Sequence, residues 1–155
     1  MFKVKKEDIS IQKIQDFAAK GSVKILVGYP SGLQHVSPDE NGNLVELAEL
    51  AKTLSFGTGR IPPRPFIEEG IESQKEMIQS ELKRQEEKVA QGQSGNFDKI
   101  GTMAVGAIQE FVRSDFYKSN VPNAPMTVEN KGSDMPLIDT AQMLNACTYI
   151  VEGKE

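Results

Sequence analysis

The stretch KGSDMPLIDTAQMLNACTYIV, residues 131–151, contains a loop, a helix and a strand in direct succession. Gly132 readily takes a positive φ and Pro136 lacks a backbone donor, so the first part of the stretch predicts a turn. Residues 141–145 then predict a short helix. Residues 147–151 are rich in β-branched side chains, which predicts a strand. This strand needs a partner from elsewhere in the chain.

Residues 23–29, VKILVGY, are the strongest strand signal in the chain. The Pro-Ser-Gly sequence that follows at 30–32 is typical of a turn and ends the strand. Because no other long apolar run needs a partner, we expect residues 23–29 and 147–151 to pair. Two strands alone are marginally stable in water, so helices or neighbouring subunits must support the sheet.

Two long helices are predicted, at residues 66–91 and 97–117. The apolar positions of the first helix form a narrow seam on a charged surface, whereas those of the second form a broad face typical of a core helix. Gly101 and Ala104 on the second helix allow a neighbouring element to approach closely. Asn96 can cap the second helix, and the short connection before it predicts an antiparallel helical hairpin.

The other segments predict short helices and loops. Residues 8–20 carry isoleucine and phenylalanine at helical spacing and predict a helix that ends at a glycine. Residues 44–51 predict an amphipathic helix, whereas residues 31–43 and 118–136 are polar and predict loops. The predicted fold class is α+β: a single domain, residues 1–155, with a small antiparallel sheet packed against two long helices that form a hairpin, plus short helices.

Composition excludes several classes of function. The chain has 18 basic and 22 acidic residues, so its net charge is −4, and it has no Trp and three Tyr. It is therefore not built to coat DNA by releasing counterions, nor to stack single-stranded bases. No apolar run approaches the ~20 residues of a membrane span, and the N-terminus does not resemble a signal peptide. We expect the protein to be made and kept in a cytoplasm.

The residue types needed for nucleophilic or metal chemistry are scarce. Cys147 is the only cysteine and His35 the only histidine, so a zinc site is not expected. Cys147 begins an apolar strand and is interpreted as a small buried hydrophobe rather than a nucleophile. His35 falls in a polar loop, where a histidine is usually solvated. His35 is the only histidine that could act as a base for Ser133, so the evidence for a Ser-His-Asp site is weak.

Asp134 and Asp139 allow two interpretations. They could be paired carboxylates that act in acid–base catalysis. However, they are five residues apart across a proline turn, and nothing in the sequence fixes the distance between them. The favoured interpretation gives them turn and cap roles, with Asp139 or Thr140 capping the following helix. An enzyme is therefore disfavoured and no cofactor is expected. Two alternatives to a structural protein remain. One is a small cytoplasmic enzyme or regulator, with His35 or Cys147 near a carboxylate. The other is a DNA-binding adaptor with a local basic face.

The segment LSFGTGRIPPRPF, residues 54–66, has two glycines followed by three prolines and predicts a stiff, irregular loop. It places Arg60 and Arg64 beside a rigid backbone. One interpretation is a connector whose arginines are solvated or bind helix carbonyls. The other is a loop that docks a partner, since a rigid loop loses little entropy on binding.

The order of these motifs resembles the small neck or tail-completion proteins of tailed bacteriophages and Mu-like prophages. Members of that family resemble FGT…IPxRPF, found here at residues 56–66, and KGSDxPLIDTGQL, found here at residues 131–143. The resemblance covers roughly residues 22–151. Ala141 stands where glycine is usual and Met143 where leucine is usual, and both changes are compatible with a helix.

The resemblance implies a structural virion protein and not an enzyme. Such proteins form rings, usually hexameric, at the head–tail junction, after assembly in the host bacterial cytoplasm. The implied partners are other copies of the chain, the connector or head-completion protein, and the tail tube or terminator, with DNA passing through the ring lumen and no membrane. Rigidity and place in the motifs make the following residues the predicted subunit or partner interface: Arg60, Pro63, Arg64, Phe66, Lys131, Asp134 and Asp139.

Overall fold

The computed structural model describes residues 2–3, 11–18, 21–34, 41–59, 62–120 and 142–153. The fold is α+β, as predicted, with a small antiparallel sheet and a set of helices. The elements in chain order are β1 (Phe2–Lys3), β2 (Ile11–Ala18), β3 (Gly21–Gly28), α1 (Leu47–Phe56), α2 (Phe66–Ser73), α3 (Lys75–Ala90), α4 (Asp98–Arg113), α5 (Asp115–Asn120), α6 (Gln142–Ala146) and β4 (Thr148–Glu152).

The sheet has four strands in the order β1-β2-β3-β4, and each neighbouring pair is antiparallel. The predicted pairing of the last strand with the strand of residues 23–29 is confirmed, with Ile25 opposite Val151 and Val27 opposite Tyr149. The two-stranded sheet expected from the sequence is extended by β1 and β2. The additional strands relieve the marginal stability of a two-stranded sheet.

The prediction of a helix at residues 8–20 is wrong, because Ile11–Ala18 form strand β2. All eight residues of β2 pair with β3, from Ile11 opposite Gly28 to Ala18 opposite Gly21. An isolated helix of this length is marginal in water. Without β2, this edge of β3 would leave a row of backbone N–H and C=O groups without hydrogen bonds. Pairing those groups favours a strand more than the helical spacing of the apolar residues favours a helix.

The helical hairpin is confirmed, although its first arm is two helices. The helix is interrupted at Gln74, between α2 and α3, where φ is −121° and ψ is 23°. Two contacts show that the arms are antiparallel. Near the start of the first arm, Gln74 donates to Glu110 at 2.6 Å, and near the start of the second arm, Lys99 lies 3.1 Å from Glu81. The predicted cap is also present, since Asn96 Oδ1 accepts from the backbone N–H of Lys99 at 3.2 Å.

Helix α1 begins and ends later than the predicted helix at residues 44–51. Leu44 precedes the helix and is 51% exposed, so it does not belong to the apolar face. The helix continues to Phe56 and ends at Gly57, which has a φ of 70° and donates its N–H to the Thr53 carbonyl. A glycine at this position takes the positive φ without the cost that a Cβ would add.

The core lies between the sheet and the helices. Helix α4 packs on β3 and β4, α3 packs on β2, and α2 packs along α4. A Cβ at Gly101 would overlap the ring of Tyr149, and one at Gly70 would lie 2.7 Å from Ile108 Cα. The predicted close approach at Gly101 is therefore confirmed. The largest fully buried side chains are Tyr117, Phe66, Ile25, Leu47, Ile67, Ile71, Ile78, Ile100, Ile108 and Leu144.

Candidate partner-binding surface

The proline-rich segment is held to the body of the protein by backbone hydrogen bonds. The Arg64 N–H donates to the carbonyl of Leu54 at 2.7 Å, which ties the segment to α1. The Phe66 N–H donates back to the Arg64 carbonyl at 2.7 Å across Pro65, whose φ is −74° and ψ is 56°. These values describe an inverse γ-turn, a shape that the proline ring favours because it restricts φ. The stiffness predicted for this segment has a structural cause.

Phe66 anchors this turn in the core. Its side chain is 0% exposed, and its ring meets the ring of Tyr29 edge-on with centroids 6.4 Å apart. It is also the first residue of α2. A role for the Phe66 side chain at a partner interface does not fit this position, because the side chain is already enclosed by the chain itself.

The remaining predicted interface residues divide into two groups. Pro63 is exposed and Arg64 half-buried, so the structure brings these two residues together on one turn, beside the exposed Pro62. Arg60, Lys131, Asp134 and Asp139 lie outside the described residues. We define residues 62–66, which contain the γ-turn, as the proline turn.

A buried group of polar side chains lies beneath the proline turn. Burial raises the pKa of Tyr29 and of Tyr117 well above the ordinary value for tyrosine. The Arg64 charge acts against this rise at Tyr117, whereas Glu69 adds to it, so both charges lie close to that phenol. Within the described ranges, neither phenol hydroxyl has a hydrogen-bond partner. The charged side chain of Arg64 therefore places the proline turn next to this buried group.

Cys147 belongs to the same buried region. Cys147 is 5% exposed, and burial raises the pKa of its thiol to about 12. A thiol with this pKa stays protonated at neutral pH, and the thiolate is the nucleophile in cysteine chemistry. The interpretation of Cys147 as a buried hydrophobe is therefore supported over the interpretation as a nucleophile. His35, Ser133 and Thr140 lie outside the described residues.

Two further searches covered the part of the chain that the structure describes. In that part, no three or more His, Cys, Asp or Glu side chains are grouped so as to hold a metal ion. None of the helices there combines the length and the apolar character needed to cross a membrane.

Strand β4 offers a second surface, which the sequence analysis missed. It pairs with β3 on one side, and no described strand pairs with its other side. Ile150 is 50% exposed and Val151 37% exposed. An exposed strand edge with apolar side chains is a template for pairing with another chain. The sequence did contain a signal for this open edge, because residues 147–151 were expected to pair with only one other strand.

Comparisons of the chain with protein-family models, with curated proteins and with solved structures found no match.

Proposed function

We propose that this chain is a structural virion protein of a tailed phage or prophage. In this proposal it is a tail-completion or neck protein that forms a ring at the head–tail junction and helps to join the tail to the capsid. Its partners are further copies of itself and neighbouring neck and tail proteins. The order of the two motifs, IPPRPF at residues 61–66 and KGSDMPLIDT at residues 131–140, supports this assignment.

The observation that carries the proposal is the anchoring of the proline turn. Two backbone hydrogen bonds and the buried Phe66 fix the turn, while Pro62 and Pro63 remain exposed. A surface that is rigid before binding loses little conformational entropy when a partner docks. This is a property that a ring subunit needs, because each heterologous contact must be repeated around the ring.

Arg64 gives the proposal a direct test. Its side chain is half-buried at the proline turn, so reversing its charge should disturb a contact made there. We expect negative-stain images of the concentrated wild-type chain to show closed rings, and Arg64→Glu to reduce the number of rings at least tenfold. Lys83→Glu is the matched control, since Lys83 is exposed on α3 and should leave the rings unchanged.

Circular dichroism of both variants separates a lost contact from a lost fold. Rings that persist in a folded Arg64→Glu protein would remove Arg64 from the interface. Absence of rings in the wild-type chain at every concentration would contradict ring formation itself.

A further inference from the structure

Three buried hydroxyls lie around the proline turn. Tyr29, Ser55 and Tyr117 are 2%, 6% and 0% exposed, and in the part of the chain that the structure describes their hydroxyl oxygens have no hydrogen-bond partner. A buried hydroxyl without a partner costs free energy, because folding removes the hydrogen bonds that it makes to water in the unfolded chain. Such groups are therefore rare in native proteins, and each one needs a physical explanation.

Contacts made by the turn place all three residues next to it. The ring of Tyr29 meets the ring of Phe66, with centroids 6.4 Å apart. Ser55 lies on the buried face of α1 and directly follows the residue whose carbonyl accepts from the Arg64 N–H. Burial has the largest effect on the pKa of Tyr117, and the charge of Arg64 opposes it, so this phenol also lies close to the turn.

The phenols of Tyr29 and Tyr117 lie close to each other and to a thiol. Tyr29 and Cys147 directly adjoin the pair formed by Gly28 and Thr148, which ends the ladder between β3 and β4. Burial raises the pKa of Tyr29 most, and Cys147 and then Tyr117 raise it further, which requires that both groups are near. Two phenol hydroxyls and a thiol therefore belong to one buried region.

We propose that an ordered internal water molecule binds between the hydroxyls of Tyr29 and Tyr117, beneath the proline turn. A buried water needs about two to four polar partners, and each hydroxyl can both donate and accept. The thiol of Cys147 is a weak further partner. A ligand larger than water would have to open the core, since neither tyrosine is more than 2% exposed. This site does not depend on whether the chain forms a ring.

Removing the hydroxyls one at a time tests the water site. Because Tyr29→Phe or Tyr117→Phe takes a partner from the water, we expect each change to raise the equilibrium constant of unfolding roughly fivefold, measured by urea denaturation of the dilute protein. The double variant should raise it by clearly less than the product of the two single effects, because both changes act on the same water.

Tyr149→Phe is the matched control. Tyr149 is half-buried, and its hydroxyl lies 3.3 Å from the hydroxyl of the exposed Thr102, where solvent can replace either group. We expect this change to alter the equilibrium constant of unfolding by no more than about twofold.

The outcomes decide between a bound water and hydroxyls buried without a partner. A fall in the unfolding constant of Tyr29→Phe or Tyr117→Phe would overturn the proposal, because it would show that removing the hydroxyl relieves a cost. Effects that multiply in the double variant would overturn the shared site. A crystal structure of the wild-type protein gives the direct readout. We expect an ordered water within about 3.2 Å of both hydroxyls, whereas hydroxyls bonded only to protein groups, or to nothing, would contradict the proposal.

Discussion

Gly101 is the residue that allows the helical hairpin to lie against the sheet. The ring of Tyr149 occupies the space where a Cβ of residue 101 would be, and the Thr102 hydroxyl lies 3.3 Å from the hydroxyl of Tyr149. A glycine inside a helix normally costs roughly 1 kcal/mol relative to alanine. The close approach of β4 compensates for this cost, so the glycine is explained by packing.

We expect Gly101→Ala to lower the free energy of unfolding by about 1–3 kcal/mol, the usual cost of overpacking a core. Gly106→Ala is the control on the same helix, since a Cβ there meets no atom within 4 Å. That change should raise the free energy of unfolding by up to ~1 kcal/mol through helix propensity. Urea denaturation of the two variants measures both. An equal response of the two variants would show that Tyr149 does not pack on α4 as described.

Individual residues differed in how well the sequence predicted them. The roles of Gly101 and Asn96 followed from local rules on small residues and helix caps, and both are confirmed. The burial of Phe66 was not predicted, because proline fixes the direction of the backbone but does not determine which side chain turns inward. The burial of Tyr29 and Tyr117 gave no signal either, since it depends on elements far apart in the chain.

At the scale of elements, a polar cluster holds the connected end of the hairpin, beside the loop between α3 and α4. Gln85 is a buried polar residue, and its Oε1 accepts from the backbone N–H of Asn96 at 2.8 Å while its amide donates to Glu81 at 2.5 Å. Glu81 also lies 3.1 Å from Lys99 and 3.6 Å from Arg84. The cluster therefore joins α3 to the start of α4.

The acidic member of this cluster makes the hairpin sensitive to pH. The hydrogen bond from Lys99, aided by Gln85 and Arg84, holds the pKa of Glu81 below the ordinary value of about 4.3 for a glutamate. A lowered pKa in the folded state means that the stabilisation is complete above the unfolded value and is lost as the pH falls through the folded value.

We expect Glu81→Gln to lower the melting temperature at pH 7, and we expect this effect to shrink as the pH falls through the lowered pKa of Glu81, because protonation of the wild-type carboxylate removes the same interaction. Glu87→Gln provides the control, because Glu87 is exposed on the same helix. Thermal melts at several pH values measure the difference. A destabilisation by Glu81→Gln that keeps the same size from pH 7 down to the lowest pH at which the wild type is folded would rule out this electrostatic role.

Strand β2 shows where prediction of elements from local pattern reaches its limit. Apolar residues in Ile11–Ala18 recur at helical spacing, yet the segment pairs along the whole of β3. The decisive factor is the unpaired edge of β3, which local sequence does not reveal. The open edge of β4 was missed although the sequence had given this strand only one expected neighbour, because which edges of a sheet stay open depends on the order of strands in the complete sheet.

At the scale of the whole molecule, the proline turn is the surface that we propose for repeated contacts between copies. It is anchored by backbone hydrogen bonds, and Pro62 and Pro63 are exposed on it. In a closed ring, the surface that one subunit presents meets a different surface on its neighbour.

The most direct test of ring formation is the mass of the wild-type chain in solution, measured by light scattering across a range of protein concentrations. We expect a discrete species of about six times the subunit mass of 17.1 kDa to grow in at the expense of the monomer as concentration rises. A mass that stays at 17.1 kDa at every concentration would contradict the account.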